Sequence, residues 1–247
     1  MKHPGNPQDR IIFALDVPDI ELARSYVKQL DGLISFYKVG WELFLATGLG
    51  FVKELKEQQL KVFLDLKLTP DIPAQLQRAT QTLARAGIEC MTVHGNGKTI
   101  EMVKAGRGET KVQILSLTVL TSMSEHDMRD LYITGSQGAS SAHVSSVEEF
   151  VDSRAHESLQ HGADGLIASG LHAAMLREKH GNEFLLVCPG IRPSGVSHNE
   201  HQRAATPTQA VKGGADYLVI GRPIRDAANP REAVKKIIGE IEEGLSV

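Results

Sequence analysis

Val62-Phe63-Leu64-Asp65-Leu66-Lys67-Leu68-Thr69-Pro70-Asp71 is a run of apolar strand-formers that carries an Asp, a Lys two residues on, and a second Asp. Side chains alternate along a strand, so the pattern predicts Asp65 and Lys67 on one face, carboxylate and ammonium within hydrogen-bonding reach. Two desolvated charges in a pocket cost free energy, and such pairs suit electrostatic and proton-transfer chemistry. Next along the chain, Gln75–Ala86 has apolar residues at 76, 79, 83, 84 and 86, the spacing of an amphipathic helix. Strand followed by helix is one β/α unit.

That unit recurs along the whole chain. Strands are predicted at Ile11–Val17, Phe36–Val39, Val62–Leu68, Cys90–His94, Val112–Leu120, Gly165–Ala168, Phe184–Cys188 and Tyr217–Ile220. A helical stretch, Glu21–Leu30, has apolar residues at 22, 23, 26, 27 and 30. Gly87, Gly162, Gly181, Gly213-Gly214 and Pro230 punctuate the joins, and proline fits the first turn of a last helix. Eight such units of roughly 30 residues predict an α/β fold, a (β/α)8 TIM barrel. It forms a single domain over 11–247 after a flexible N-terminal arm over 1–10. A doubly wound open sheet is the competitor. The short, evenly spaced strands and the lack of a dinucleotide glycine fingerprint after the first strand speak against it. The Ser-, Gly- and Thr-rich stretch Thr121–Val147 reads as a long, mobile loop with a short helix.

Composition narrows the function. With 27 basic and 30 acidic residues and no block of like charge, nothing points to nucleic acid or an anionic membrane surface. The apolar runs are strand-sized, too short to span a bilayer, and the polar start lacks the apolar core of a signal peptide. Cys90 and Cys188 each lie in an apolar run, and the ten His are scattered without zinc-like spacing. These features predict a reduced, cytoplasmic protein without structural metal.

In a barrel of this kind the ligand site lies at the C-terminal strand ends. Polar residues collect there: Asp16, Lys38, Asp65 with Lys67, His94, Thr121-Ser122, the loop Pro189-Gly190-Ile191-Arg192-Pro193, and Gly221-Arg222. Each has a bland reading. A strand-end Asp often caps a helix, His94 reads best as a structural hydrogen-bonding residue, and surface arginines contribute little as ion-pair partners. Together they are harder to assign to structure. Val219-Ile220-Gly221-Arg222-Pro223 is the next clearest signal. Loops after strands seven and eight hold phosphate in phosphate-binding barrels, Gly221 would let the backbone approach an anion, and Arg222 supplies a forked cationic donor. The expected ligand is a phosphorylated small molecule.

With those residues in place, the chain resembles the orotidine 5'-phosphate decarboxylase family from Ile11 to about Leu245. The matching pieces are Phe13-Ala14-Leu15-Asp16, Tyr37-Lys38-Val39-Gly40, Phe63-Leu64-Asp65-Leu66-Lys67, Asp71-Ile72-Pro73, Leu120-Thr121-Ser122, the Pro189–Pro193 loop and Val219-Ile220-Gly221-Arg222. The resemblance implies a cofactor-free, metal-free enzyme that decarboxylates orotidine 5'-phosphate to UMP and works as a homodimer with shared active sites. It implies that Lys67 protonates C6 of the pyrimidine, that Asp65 sits near the substrate carboxylate, and that Asp16 and Lys38 hold the ribose hydroxyls and extend the charge array. Asp71 matches an aspartate contributed by the other subunit, Thr121 and Ser122 match the pyrimidine-recognising turn, and Arg192, Gln202, Gly221 and Arg222 match the 5'-phosphate grip. The segment Pro193–Gln202 reads as a closing lid.

The chain departs from the family pattern at one place. Asp71 follows Lys67 by four residues where the family spacing is three, with Pro70 where the family often has His and Gln75 where it commonly has Thr. Two alternatives remain open. Ketogulonate-phosphate decarboxylases and hexulose-phosphate synthases share the barrel and an Asp-x-Lys motif but use Mg2+ and place a carboxylate where this chain has Lys38. A non-catalytic barrel that binds nucleotide monophosphates is the other.

Overall fold

Eight parallel strands pair in sequence order and close on themselves: β1 (Ile11–Ala14), β2 (Phe36–Gly40), β3 (Lys61–Leu68), β4 (Cys90–Val93), β5 (Gln113–Leu117), β6 (Gly165–Ile167), β7 (Leu185–Cys188) and β8 (Tyr217–Ile220). The closing seam sets Ile11 beside Leu218 and Ile12 beside Val219. The computed structural model describes residues 4–69, 72–94, 96–120, 146–195 and 204–246. Closure rules out the open doubly wound sheet.

Helices separate the strands: α1 (Ile20–Gln29), α2 (Trp41–Glu57), α3 (Pro73–Arg85), α4 (Gly97–Arg107), α5 (Val147–Gln160), α6 (Ala173–His180), α7 (Pro207–Lys212), the short α8 (Arg222–Arg225) and α9 (Pro230–Leu245). Their starts are set by local chemistry. Asp19 accepts from the Leu22 amide, Asn96 from Thr99, and Thr206 with Gln209 forms a reciprocal capping box. Pro230 opens α9 behind the Asn229 cap. Gly48, at φ 57°, kinks α2 where other residues would be strained. Before β1, Gln8–Arg10 makes a 3-10 turn, and Arg10 donates to the Ala215 carbonyl. Among the described residues, no helix is long and apolar enough to cross a membrane.

The strand pleat divides the core in two. Ile12, Phe36, Phe63, Cys90, Leu115 and Tyr217 belong to the cluster that fills the barrel, whereas Ile11, Phe13, Tyr37, Leu64 and Met91 join the layer packed under the helices. Two residues beyond an inward apolar residue, toward the C-terminal end, the same parity reaches the mouth. Ala14 is followed by Asp16, Phe36 by Lys38, Phe63 by Asp65 and Val219 by Gly221. The apolar interior thus ends in a polar layer at the mouth. Both cysteines are buried and unpaired with each other, and burial raises both thiol pKa values, that of Cys188 to about 12.

Several strands end earlier than the sequence pattern predicts. β5 stops at Leu117 instead of Leu120, although the Thr118 amide still reaches the Ile167 carbonyl, to which the Thr118 hydroxyl also donates. β1 stops at Ala14, although the Leu15 amide still reaches the Lys38 carbonyl. The largest departure lies in β3. Its pairing with β4 runs Phe63 to Cys90 and Leu64 to Met91, then shifts, so that Leu68 pairs with Val93. Asp65, Leu66 and Lys67 therefore stand opposite Thr92 alone, a bulge in the motif that carries the charges. Lys67 itself is left-handed, at φ 46°.

Candidate active site

The C-terminal strand ends open onto a cavity of about 410 Å³, within the size range of small-molecule sites. Asp16, Lys38, Asp65, Lys67, Arg192, Gly221 and Arg222, all picked out in the sequence, line it. Asp71, Thr121, Ser122 and Gln202 lie outside the described residues, as do the 121–145 part of the loop after β5 and the 196–202 part of the expected lid.

Four charges form a row of alternating sign across the first three strands. The Lys38 ammonium donates to Asp16 at 2.7 Å and lies 3.6 Å from Asp65, whose other oxygen accepts from the Lys67 ammonium at 2.9 Å. Lys38 is buried, and Lys67 keeps about a third of its side chain exposed, facing the cavity. Burial pushes the Lys38 ammonium toward the neutral form, but Asp16 and Asp65 outweigh it and its pKa is raised. Burial likewise favours a neutral Asp65. Lys38 and Lys67, with a hydrogen bond from Thr92, overcome this and hold the carboxyl below its ordinary value. Removing one member of the row would leave its neighbours less well compensated, which is the costly way to break such an arrangement.

Gly40 makes this crossing possible. A Cβ there would stand 3.1 Å from both the Asp16 carboxylate and the Lys38 ammonium, so glycine leaves the two room to meet. The expectation that simple alternation brings Asp65 and Lys67 together needs correction in its means. The two side chains meet, but across the bulge and through the left-handed Lys67 backbone. A non-glycine residue there stores about 1–3 kcal/mol of strain, and such strain concentrates at functional positions.

On the opposite rim, Gly190 at φ 73° turns the chain after β7. Arg192 follows it, almost fully buried, donating to the Ile191 carbonyl while its Nη2 has no hydrogen-bond partner among the described residues. Burial, and after it the nearby Arg222 charge, lower the Arg192 pKa. Two guanidinium groups held near each other across a cavity wall repel, and an anion between them relieves that cost. At Gly221 a Cβ would come within 3.3 Å of the Ala14 side chain, so the β8 end lies close against β1.

Two participants escaped the sequence reading. Arg225 lines the cavity, but it donates to the Asp16 carbonyl at 2.7 Å and pairs with Asp226, so it braces the wall beside Asp16. Its position in a short helix after β8 left no signal. Thr92 lies buried beneath Asp65 and Lys67. Its inward parity with Cys90 could have found it, had an apolar strand not made a lone Thr look like filler. His94, at the β4 end, does not line the cavity, and burial, then Arg154 and Lys67, lower its pKa. Among the described residues, no group of three His, Cys, Asp or Glu is arranged to hold a metal ion.

Among the described residues, the cavity wall carries five cationic side chains against two carboxylates, so it favours a ligand with several negative charges. Fold and site together define a (β/α)8 barrel with a mouth built for a small anionic molecule and a buried acid–ammonium row for acting on it. The family model of the orotidine 5'-phosphate decarboxylase / HUMPS family matches residues 9–237, and the chain belongs to that family. It is 40% identical over 241 residues to an orotidine 5'-phosphate decarboxylase of Rhodopseudomonas palustris strain BisA53, covering 98% of each chain. It is 43% identical to that of Methylococcus capsulatus, covering 95% of this chain and 93% of the relative. The crystal structure of orotidine 5'-phosphate decarboxylase from Lactobacillus acidophilus superposes with a TM-score of 0.77 at 34% identity, over 94% of this chain and 99% of the other.

Proposed function

We propose that this protein decarboxylates orotidine 5'-phosphate to UMP and CO2, the last step of pyrimidine nucleotide synthesis, in the cytoplasm and without a cofactor. The observation that carries this reading is the row Asp16–Lys38–Asp65–Lys67 facing a cavity whose far rim presents Arg192 and Arg222.

Loss of CO2 leaves an electron pair on C6 in the plane of the pyrimidine ring, where conjugation cannot spread it. The Lys67 ammonium, held beside Asp65, stabilises that developing charge and delivers the proton to C6. Asp65 keeps Lys67 oriented and stands near the substrate carboxylate. Lys38 holds Asp65 ionised, and with Asp16 it meets the ribose hydroxyls. Arg192 and Arg222, with Gln202 and the Gly221 backbone, grip the 5'-phosphate, and binding energy gathered there organises the reacting end. Thr121 and Ser122 read the pyrimidine edge.

The functional unit is a homodimer in which Asp71 of one copy completes the site of the other. Support comes from an apolar surface on units two and three: Trp41 and Leu45, one turn apart on α2, are 51% and 75% exposed, and Ile72 before α3 is 48% exposed. The test is loss of orotidine 5'-phosphate absorbance with purified, EDTA-treated protein. Turnover that persists after chelation supports the reading. Turnover that vanishes and returns with Mg2+ would transfer the chain to the metal-dependent branch, and UMP binding without CO2 release would make it a sensor. Mixing inactive Lys67→Ala and Asp71→Ala proteins tests the shared site, which requires partial recovery of activity.

A further inference from the structure

Within the bulge that sets Asp65, Leu66 and Lys67 opposite Thr92, the Lys67 amide is met by a side chain, the Thr92 hydroxyl. It accepts from the Lys67 N–H at 2.8 Å and donates to Asp65 Oδ1 at 2.8 Å, the same oxygen that receives the Lys67 ammonium. Because one oxygen both accepts and donates, its proton has a fixed direction. Thr92 is 1% exposed and is not part of the cavity wall, so it does not meet a ligand.

We propose that Thr92 is a positioning residue for decarboxylation: its hydroxyl clamps the left-handed Lys67 backbone and the Asp65 carboxylate into one unit, so that Lys67 is aimed at the reacting carbon. This rests on the function proposed above. The clamp explains three features together. It gives the Lys67 amide a partner at a point where the ladder is broken. It holds a backbone conformation that a lysine adopts only under constraint. It also orients Asp65 so that one oxygen faces Lys67 and the other faces Lys38. β3 alone cannot do this, because the residues at issue lie inside its own irregularity.

The experiment compares Thr92→Val, which keeps the shape and loses both hydrogen bonds, with Thr92→Ser, which keeps the hydroxyl. Hydrogen bonds to charged groups predict a fall in kcat of about 10–100-fold in T92V with KM little changed, and T92S within a few-fold of the parent protein. The acid limb of the T92V rate profile moves to higher pH, because Asp65 has lost a donor that favours its ionised form. Amide hydrogen exchange at Lys67 reads the clamp without any turnover, and speeds up in T92V but not in T92S. Parental kcat and pH profile in T92V would overturn the proposal, and so would T92S as impaired as T92V. A parent protein that releases no CO2 would overturn the proposed function instead, leaving the exchange measurement to decide on the clamp.

Discussion

The lower half of the barrel interior and its mouth are made by the same strands, yet they obey opposite rules. Below, Phe36, Phe63 and Leu115 fill the interior with apolar side chains, and Phe36 meets the Tyr217 ring edge-on at 5.6 Å. One inward position further along, Lys38 and Asp65 replace them with charges that burial alone would neutralise. The lower layer excludes water and makes the floor rigid. The upper layer exploits that dryness, since opposite charges act more strongly on each other where water is scarce. Stability and chemistry are thus separated along each strand by a distance of two residues.

The sharpest way to break this division is to remove the ammonium at its centre. Lys67→Ala should lower kcat by at least about 10⁴-fold while phosphate-ligand binding survives in part. Near-normal turnover would remove Lys67 from the chemistry. A cut in the lower layer should do the reverse. Leu115→Ala should lose about 2–5 kcal/mol of stability in denaturant titration, with kcat/KM of the folded fraction little changed. A large loss of kcat/KM at unchanged stability would mean that the two layers are not separable. At the rim, Arg222→Ala should raise KM by about 10–100-fold, and an unchanged KM would exclude it from the phosphate grip.

The smallest effect is in pH. Asp65 has a depressed pKa, so the stability it contributes is complete above its unfolded value, about 3.9, and is lost as pH falls through the lower folded value. For Lys38 the pKa is raised, so its contribution is complete below about 10.4 and is lost only as pH rises past the higher folded value. Between these limits Asp65 and Lys38 keep their charges. The stability difference between the parent and Asp65→Asn, measured in urea at several pH values, should therefore hold steady down to about pH 4 and then shrink. A difference already gone at about pH 5 would show that Asp65 is not held in its ionised form.

Much of this was legible in the chain. The eight strand–helix repeats determined a closed barrel, because a strand buried on both faces needs helices around it, and the inward parity of Asp16, Lys38 and Asp65 placed them at one end. The Pro-Gly-Ile-Arg and Gly-Arg loops raised the expectation of an anion site, because glycine lets the backbone approach an anion and arginine offers a forked cationic donor. Tertiary structure alone decided how Lys67 is aimed. A bulge depends on the register between β3 and β4, residues about 25 apart in sequence, and no periodicity within β3 encodes it. For the same reason Thr92, ordinary in its own strand, acquires a role only when three residues of its neighbour are folded against it.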